Sequence, residues 1–124
     1  MIYLDTHVVV WLYAGMIDEL SVKVRNLIND HDILVSPIVQ LELQYLFEIQ
    51  RITAKPNEIV SDLSDRIGLK TCEKGFIGIV RRALDCSWTR DPFDRLIVAH
   101  AAIDQDLLVT KDQKILTNYR KAIW

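Results

Sequence analysis

The stretch RDPFDRLIVAHAAIDQDLLVT, residues 90–110, contains the pattern that decides the fold of this chain. It begins with two acids and two arginines, continues as an apolar helix, and ends in a short apolar segment typical of a buried strand. Asp91 before Pro92 is the order of a helix cap followed by a first-turn proline, so a helix is predicted to begin here. A helix that leads into a short buried strand is one unit of an α/β fold.

The same alternation continues on both sides of this stretch. Strands are predicted at IYL (2–4), DILVS (32–36), LKTC (69–72) and DLLVT (106–110), with KAIW (121–124) as a last edge strand. The other predicted helices cover residues 6–14, 20–28, 37–52, 56–67, 74–87 and 112–118. Short apolar strands that alternate with longer helices predict an α/β protein with a mostly parallel central sheet.

Length and composition limit the class of protein. The chain has 124 residues, enough for one domain with a buried core, so a single domain over residues 1–124 is expected. The net charge of −2 argues against a broadly basic nucleic-acid surface. The two cysteines, Cys72 and Cys86, have neither a disulfide-framework nor a zinc-site spacing. Because no apolar stretch is long enough to span a bilayer, we expect a cytoplasmic protein without membrane contact.

Acidic residues stand where a parallel sheet places its functional crevice, outside the carboxyl ends of the strands. Asp5 follows the first strand, and Asp112 follows the fourth. Asp94 lies in the first turn of the helix that begins at Pro92. Glu42 and Asp94 each interrupt an otherwise apolar helical stripe. Because a desolvated carboxylate is costly, these positions need a compensating partner.

A divalent cation is the partner that explains these acids together. Two carboxylates about 4 Å apart repel by roughly 4 kcal/mol at an effective dielectric constant of about 20, so a cluster needs protons or a cation. Ligands that are all oxygen favour Mg²⁺ or Mn²⁺ over zinc. The sequence therefore predicts a metal site at this edge of the sheet.

Each acid also has a structural interpretation when it is taken singly. Asp91 is better explained as a helix cap, and Asp94 is equally consistent with a capping box and with a metal ligand. Asp5 and Asp112 are each placed to cap the following helix, and Glu42 could pair with a buried arginine. The evidence for a site is their convergence on one edge, which is itself a prediction.

Four segments, in this order along the chain, resemble the PIN domain family. They are YLDTHVVVWL (3–12), VSPIVQLELQYL (35–46), RDPFDRLIVAHA (90–101) and LVTKDQKI (108–115). More narrowly, they are similar to the VapC-type toxins of type II toxin–antitoxin systems, and the resemblance covers nearly the whole chain. It implies a three-layer α/β/α sandwich with a mostly parallel central sheet.

The resemblance also implies the residues of the site. By motif, the catalytic and metal-binding acids are Asp5, Glu42, Asp94 and Asp112. The possible supporting residues are Thr6, Asp91, Arg95 and Thr110. For Arg95 a structural ion pair is at least as consistent with the motif as a contact with substrate. The cofactor implied is Mg²⁺ or Mn²⁺.

The implied function is that of a metal-dependent endoribonuclease, the toxin of a toxin–antitoxin pair. Its products would carry 5′-phosphate and 3′-hydroxyl ends, and no protein nucleophile is required. Because the acids repel RNA, binding also needs a positive rim, for which the candidates are Arg90, Arg95, Lys111 and Lys114. Each of these could equally be solvated surface, and that interpretation is favoured for Lys114.

The expected partners are RNA, a cognate antitoxin and a second copy of the chain. The predicted helix 37–52 has apolar residues on more than one face, which fits burial between helices, a homodimer or an antitoxin groove. Two other functions stay open. One is a Mg²⁺-binding phospho-receiver signalling domain, although the third strand, LKTCEKG (69–75), offers no acceptor aspartate. The other is a PIN-like module that binds RNA without cutting it.

Overall fold

A computed structural model describes residues 1–124 and contains one five-stranded sheet. The strands are β1 (Ile2–Leu4), β2 (Ile33–Val35), β3 (Lys70–Thr71), β4 (Leu107–Val109) and β5 (Ala122–Ile123). Their order across the sheet is β3-β2-β1-β4-β5, and every neighbouring pair is parallel. The predicted α/β fold with a parallel central sheet is therefore confirmed.

Seven α-helices connect and cover these strands. They are α1 (Thr6–Tyr13), α2 (Val22–Asp30), α3 (Ile38–Glu48), α4 (Pro56–Ile67), α5 (Phe76–Ala83), α6 (Pro92–Ala102) and α7 (Gln113–Asn118). A single 3-10 turn, Ile17–Glu19, lies between α1 and α2. The longest helix has 12 residues, and none has the length and apolar character needed to cross a membrane.

The central strand β1 is the most deeply buried element. Ile2, Tyr3 and Leu4 are all fully inaccessible to solvent. A parallel strand that is covered on both faces must be apolar at every position, which explains why IYL lacks the alternation of a half-exposed strand. Its burial anchors a main core of 24 residues that draws on strands β1, β2 and β4 and on every helix except α5.

Helix boundaries agree with the sequence where proline and glycine mark them. α4 covers the predicted range 56–67: Pro56 starts it, and Gly68 ends it in the left-handed conformation, with φ of 71°. α3 ends at Glu48, four residues before the predicted Ile52, because the chain turns away with Gln50 at φ of 61°. α5 is shorter than predicted at both ends and spans Phe76–Ala83.

The pairing of β1 with β4 brings distant parts of the sequence to one edge of the sheet. Leu4 is in register with Val109, and the backbone N–H of Asp5 donates to the Val109 carbonyl at 3.0 Å. The residues that follow the two strands, Asp5 and Thr110, are therefore neighbours although they are 105 positions apart. This edge is where the carboxyl ends of the parallel strands meet.

Candidate metal centre

A cavity of about 350 Å³ lies outside the carboxyl ends of β1 and β4. Eight residues line it, and only one of them is hydrophobic. They are Asp5, His7, Trp11, Glu42, Asp91, Asp94, Lys111 and Asp112. The structure thus brings together all the acids that the sequence singled out.

Asp5 is the most buried acid of the cavity, with 7% of its surface exposed. It caps α1: one carboxylate oxygen accepts from the backbone N–H of Thr6 at 2.8 Å. The other oxygen accepts from the hydroxyl of Thr110 at 2.6 Å. Burial raises the pKa of Asp5; the two hydrogen bonds oppose that rise, and the charge of Asp112 adds to it.

Glu42 projects from α3, and its carboxylate accepts a hydrogen bond from the hydroxyl of Thr6. Thr6 is fully buried, so this bond fixes α3 against the start of α1. Burial raises the pKa of Glu42, the hydrogen bond lowers it, and the negative charges of Asp5 and Asp91 raise it further. The alternative interpretation of Glu42, a pair with a buried arginine, is wrong, because no ion pair includes this residue.

Asp94 is the acid least compensated by its surroundings. It lies half-buried in the first turn of α6. Its pKa is raised to about 7, first by burial and then by the charges of Asp91, Asp5, Asp112 and Glu42. No hydrogen bond offsets these contributions. Asp94 therefore tends to hold a proton near neutral pH unless a cation replaces that proton.

Asp91 and Asp112 are exposed acids that serve as helix caps while they line the cavity. Asp91 accepts from the backbone N–H groups of Phe93 and Asp94 at 2.8 and 3.3 Å, which makes it the N-cap of α6. Asp112 accepts from Ile115 at 3.1 Å and caps α7. For both residues the cap predicted from the sequence is present, and it does not remove them from the cavity.

The two threonines named as supporting residues connect these acids. Thr6 bonds to Glu42, as described above. Thr110 is fully buried; its hydroxyl donates to Asp5 and accepts from the backbone N–H of Asp112 at 3.0 Å. The side chains that follow β1 and β4 are thus held in fixed orientations at the base of the cavity.

None of these acids has a cationic partner. The structure contains five ion pairs, and none includes Asp5, Glu42, Asp91, Asp94 or Asp112. The structural ion pair considered for Arg95 is absent, because its guanidinium donates instead to the carbonyl of Thr89 at 2.8 Å. Arg95 therefore anchors the loop before α6 and leaves the charge of the cavity unneutralised.

The donor set suits a hard divalent cation, although the present arrangement does not yet form a coordination shell. The carboxylates supply only oxygen donors, which Mg²⁺ and Mn²⁺ prefer. No three of these side chains converge closely enough to hold one ion as they stand. Asp5, Glu42 and Asp112 each accept a hydrogen bond from a backbone or hydroxyl donor within the protein.

Two lining residues, His7 and Trp11, were not predicted as site residues. Both belong to α1, four positions apart, and therefore project from the same face of that helix. Helical spacing relates these two residues to each other but not to Asp5, which precedes them by two and six positions, so the sequence carries no signal that assigns either to the cavity. Lys111, named only as one of several rim candidates, also lines the cavity.

Comparisons with known proteins agree with this architecture. The model of the PIN domain family matches residues 2–121. No curated protein is significantly similar in sequence.

Two solved structures have a similar fold. VapBC2 from Rickettsia felis, bound to a DNA fragment from its promoter, has 22% identity and a TM-score of 0.66, and the match covers 99% of this chain and 96% of that one. A toxin–antitoxin complex from Klebsiella pneumoniae has 13% identity and a TM-score of 0.67, with 100% and 97% covered. At such identities the likeness concerns the fold.

Proposed function

This chain belongs to the PIN domain family, and from that membership we propose that it is a Mg²⁺- or Mn²⁺-dependent endoribonuclease, the toxin of a type II toxin–antitoxin pair. The observation that carries the proposal is the cavity lined by five carboxylates, none of which has a cationic partner. A cluster of this kind is tolerable only with protons or with a cation, and family membership favours the cation.

In this proposal Asp5 and Asp94 are the principal metal-binding residues, and Glu42 and Asp112 complete the site. A bound divalent cation would lower the pKa of a water molecule and offset charge on the phosphoryl oxygens. The hydroxyl of Thr110 orients Asp5 through the 2.6 Å bond, and Thr6 orients Glu42 in the same way. The acids contribute by position and charge, and no side chain forms a covalent bond to the substrate.

The raised pKa of Asp94 should make the metal affinity of the site depend on pH. At about 7 it lies in the range where a proton and a cation compete for the same carboxylate. A cation bound at Asp94 would displace that proton, so affinity for Mg²⁺ or Mn²⁺ should increase with pH across this range.

The test is a cleavage assay on total RNA, with Mg²⁺ or Mn²⁺ present in one set of reactions and EDTA in the other. We expect cleavage only with the metal, and fragments with 5′-phosphate and 3′-hydroxyl ends when the ends are mapped. The Asp5→Ala variant, shown to be folded by circular dichroism, should leave the RNA intact. Cleavage that persists in EDTA, or in folded Asp5→Ala, would contradict the proposal.

Two further measurements, filter binding of RNA and phosphate incorporation, distinguish the two competing functions. A PIN-like module that only binds RNA would retain RNA on a filter but cut none of it in Mn²⁺. A phospho-receiver domain would incorporate phosphate from an acyl phosphate instead. The latter fits poorly, because β3 is an edge strand and is followed by Cys72 and Glu73 rather than by an aspartate.

We further propose that a cognate antitoxin and a second copy of this chain are its protein partners. Leu41, Tyr45 and Ile49 lie on or just after α3 and are 57%, 51% and 44% exposed, so burial between neighbouring helices does not account for them. Apolar residues that remain exposed in this way often mark protein interfaces. Both solved structures of similar fold are toxin–antitoxin complexes, which supports the first partner.

Light scattering tests the partners directly. We expect the mass of a dimer for the chain alone and a larger complex after the protein encoded beside it is added. If the chain is a monomer and does not bind the protein encoded beside it, both proposed partners are contradicted.

A further inference from the structure

Lys111 lines the acidic cavity and yet pairs with none of its acids. It follows Thr110 at the end of β4 and is exposed to solvent. No carboxylate oxygen lies within ion-pairing distance of its ammonium group, although five acids share the cavity with it. Something other than the nearest negative charge therefore determines where this ammonium lies.

Two indole rings hold the Lys111 ammonium instead. Its Nζ lies 5.8 Å from the ring centroid of Trp11 and 5.6 Å from that of Trp124. The two rings meet edge to face, with centroids 5.7 Å apart and planes at 61°. Cation–π attraction of this kind holds an ammonium in place without neutralising its charge.

The fold explains why these three side chains meet. Trp11 lies on α1, which starts directly after β1, and Trp124 follows β5. β4, which precedes Lys111, lies between β1 and β5 in the sheet. Each residue thus comes from a different chain segment next to the same sheet edge, and the two indoles flank the lysine.

We propose that Lys111, positioned by Trp11 and Trp124, forms a subsite that binds a backbone phosphate of single-stranded RNA at the mouth of the cavity. The inference rests on the proposed ribonuclease function, because it concerns the strand that enters the same site. The acids repel a phosphodiester, so an entering strand requires a cation that the acids have not already neutralised. Lys111 is the only lysine or arginine that lines the cavity, and it is paired with none of the acids. Trp11 and Trp124 act as positioning residues that keep its charge at the rim.

The competing interpretation is that the three residues only stabilise the fold. Salt dependence distinguishes the two, because a phosphate contact releases counterions and a packing contact does not. The probe is a mixed-sequence single-stranded RNA dodecamer with a fluorescent label. Its binding is measured by anisotropy at several salt concentrations in EDTA, so that no cleavage occurs.

Lys111→Met keeps the apolar stem and removes the charge. We expect its plot of log affinity against log salt to be shallower than that of wild type by about 0.7 to 1, with weaker binding at low salt. Lys111→Arg should restore the wild-type slope because it retains the charge. Lys23→Met is the matched control: Lys23 is also exposed and in no ion pair but lies outside the cavity, so its removal should leave the slope unchanged.

Trp11→Leu tests the positioning role. It should weaken dodecamer binding while the slope stays close to that of wild type, and Trp11→Phe, which retains a ring face, should recover most of the affinity. If a folded Trp11→Leu variant binds the dodecamer with wild-type affinity, Trp11 does not position Lys111 for RNA binding.

No binding of the dodecamer in EDTA, or a wild-type slope in Lys111→Met, would overturn the subsite. These outcomes are separate from the fate of the nuclease proposal. A chain that binds RNA through Lys111 but leaves it uncut in Mn²⁺ refutes only the nuclease. A chain that cuts RNA and has an unchanged slope refutes only the subsite.

Discussion

The two ends of helix α6 carry acids in opposite circumstances. Just beyond the C-terminal end, the Lys74 ammonium lies 2.7 Å from a carboxylate oxygen of Asp104 and 3.8 Å from one of Asp106. At the N-terminal end, Asp91 and Asp94 share a cavity with three further acids and have no cation paired with any of them. The same helix thus separates a neutralised cluster from an unneutralised one.

Lys74 also satisfies other groups at the C-terminal end. Its ammonium donates to the carbonyl of His100 at 3.1 Å and lies 5.1 Å from the ring centroid of Tyr3. A cation near the last turn of a helix interacts favourably with the helix dipole. These contacts are structural, and they leave little reason for an added ion to bind there.

The comparison teaches that proximity of acids is a weak indicator of a functional site. The informative feature is the absence of a built-in partner, together with a raised pKa. Asp94 has both, and its pKa of about 7 has burial and surrounding carboxylates as its causes. The following predictions test whether this difference governs activity and stability.

The largest expected effect is on cleavage, and it distinguishes the two ends of α6. Asp94→Asn should reduce RNA cleavage in Mn²⁺ by about a hundredfold or more, since even groups that merely support a metal ligand commonly contribute about 10- to 100-fold. Asp104→Asn makes the same chemical change at the neutralised end and should retain nearly wild-type cleavage. The measurement is the initial rate on a labelled RNA, with thermal unfolding curves to confirm that both variants fold. A folded Asp94→Asn variant that cuts at the wild-type rate would show that the comparison has no functional meaning.

An intermediate effect is expected on stability as a function of pH in the absence of metal. The raised pKa of Asp94 means that the folded protein binds this proton more tightly than the unfolded chain, whose value is near 3.8. The stabilisation from protonation is therefore lost as pH rises from about 4 to about 7. After allowance for solvent screening of this half-exposed group, we expect a loss of about 1 to 2 kcal/mol.

Urea unfolding at a series of pH values measures this loss as the difference between wild type and Asp94→Asn. The Asp104→Asn variant should show the same decrease in the free energy of unfolding with rising pH as wild type. In wild type, saturating Mn²⁺ should make this decrease smaller. If Asp94→Asn loses stability over this pH range as steeply as wild type, the proton belongs to another group.

The smallest effect is expected from replacing Lys74, the lysine that neutralises the acids beyond the C-terminal end of α6. Lys74→Met should lower the free energy of unfolding by only about 0.5 to 1 kcal/mol. The effect is small because Asp104, the nearest ion-pair partner of Lys74, has a largely solvent-exposed side chain. Added salt should reduce this difference. Urea unfolding at low and high salt measures it, with Lys70→Met as the control, since Lys70 is an exposed lysine without an ion pair. A loss of cleavage in Lys74→Met would contradict a purely structural role.

Much of the fold could be predicted because the sequence marks its own boundaries. Pro56 and Gly68 delimit α4, and the range predicted from them is the range observed. α3 has no such marker at its C-terminal end, and its apolar pattern continues past the point where the helix stops at Glu48. Periodicity indicates that a helix exists, whereas its end depends on local backbone geometry such as the positive φ of Gln50.

The acids of the site could be predicted for a topological reason. Asp5 and Asp112 follow strands, and the carboxyl ends of parallel strands must meet at one edge. Their contacts could not be predicted in the same way. The bond between Thr6 and Glu42 depends on how α3 packs against α1, and the meeting of Trp11 with Trp124 depends on β5 lying beyond β4. Such contacts arise from the tertiary arrangement and have no local signature.

The bond between the Thr110 hydroxyl and Asp5 has a consequence for the order of events during protein synthesis. During synthesis Asp5 precedes its hydrogen-bonding partner by 105 residues. Until β4 has left the exit tunnel and taken its place beside β1, the first acid lacks its orienting hydroxyl and the last acid is absent. The acids at this edge of the sheet therefore reach their described arrangement only after β4 has paired with β1, so the candidate site is a product of completed folding rather than of local structure.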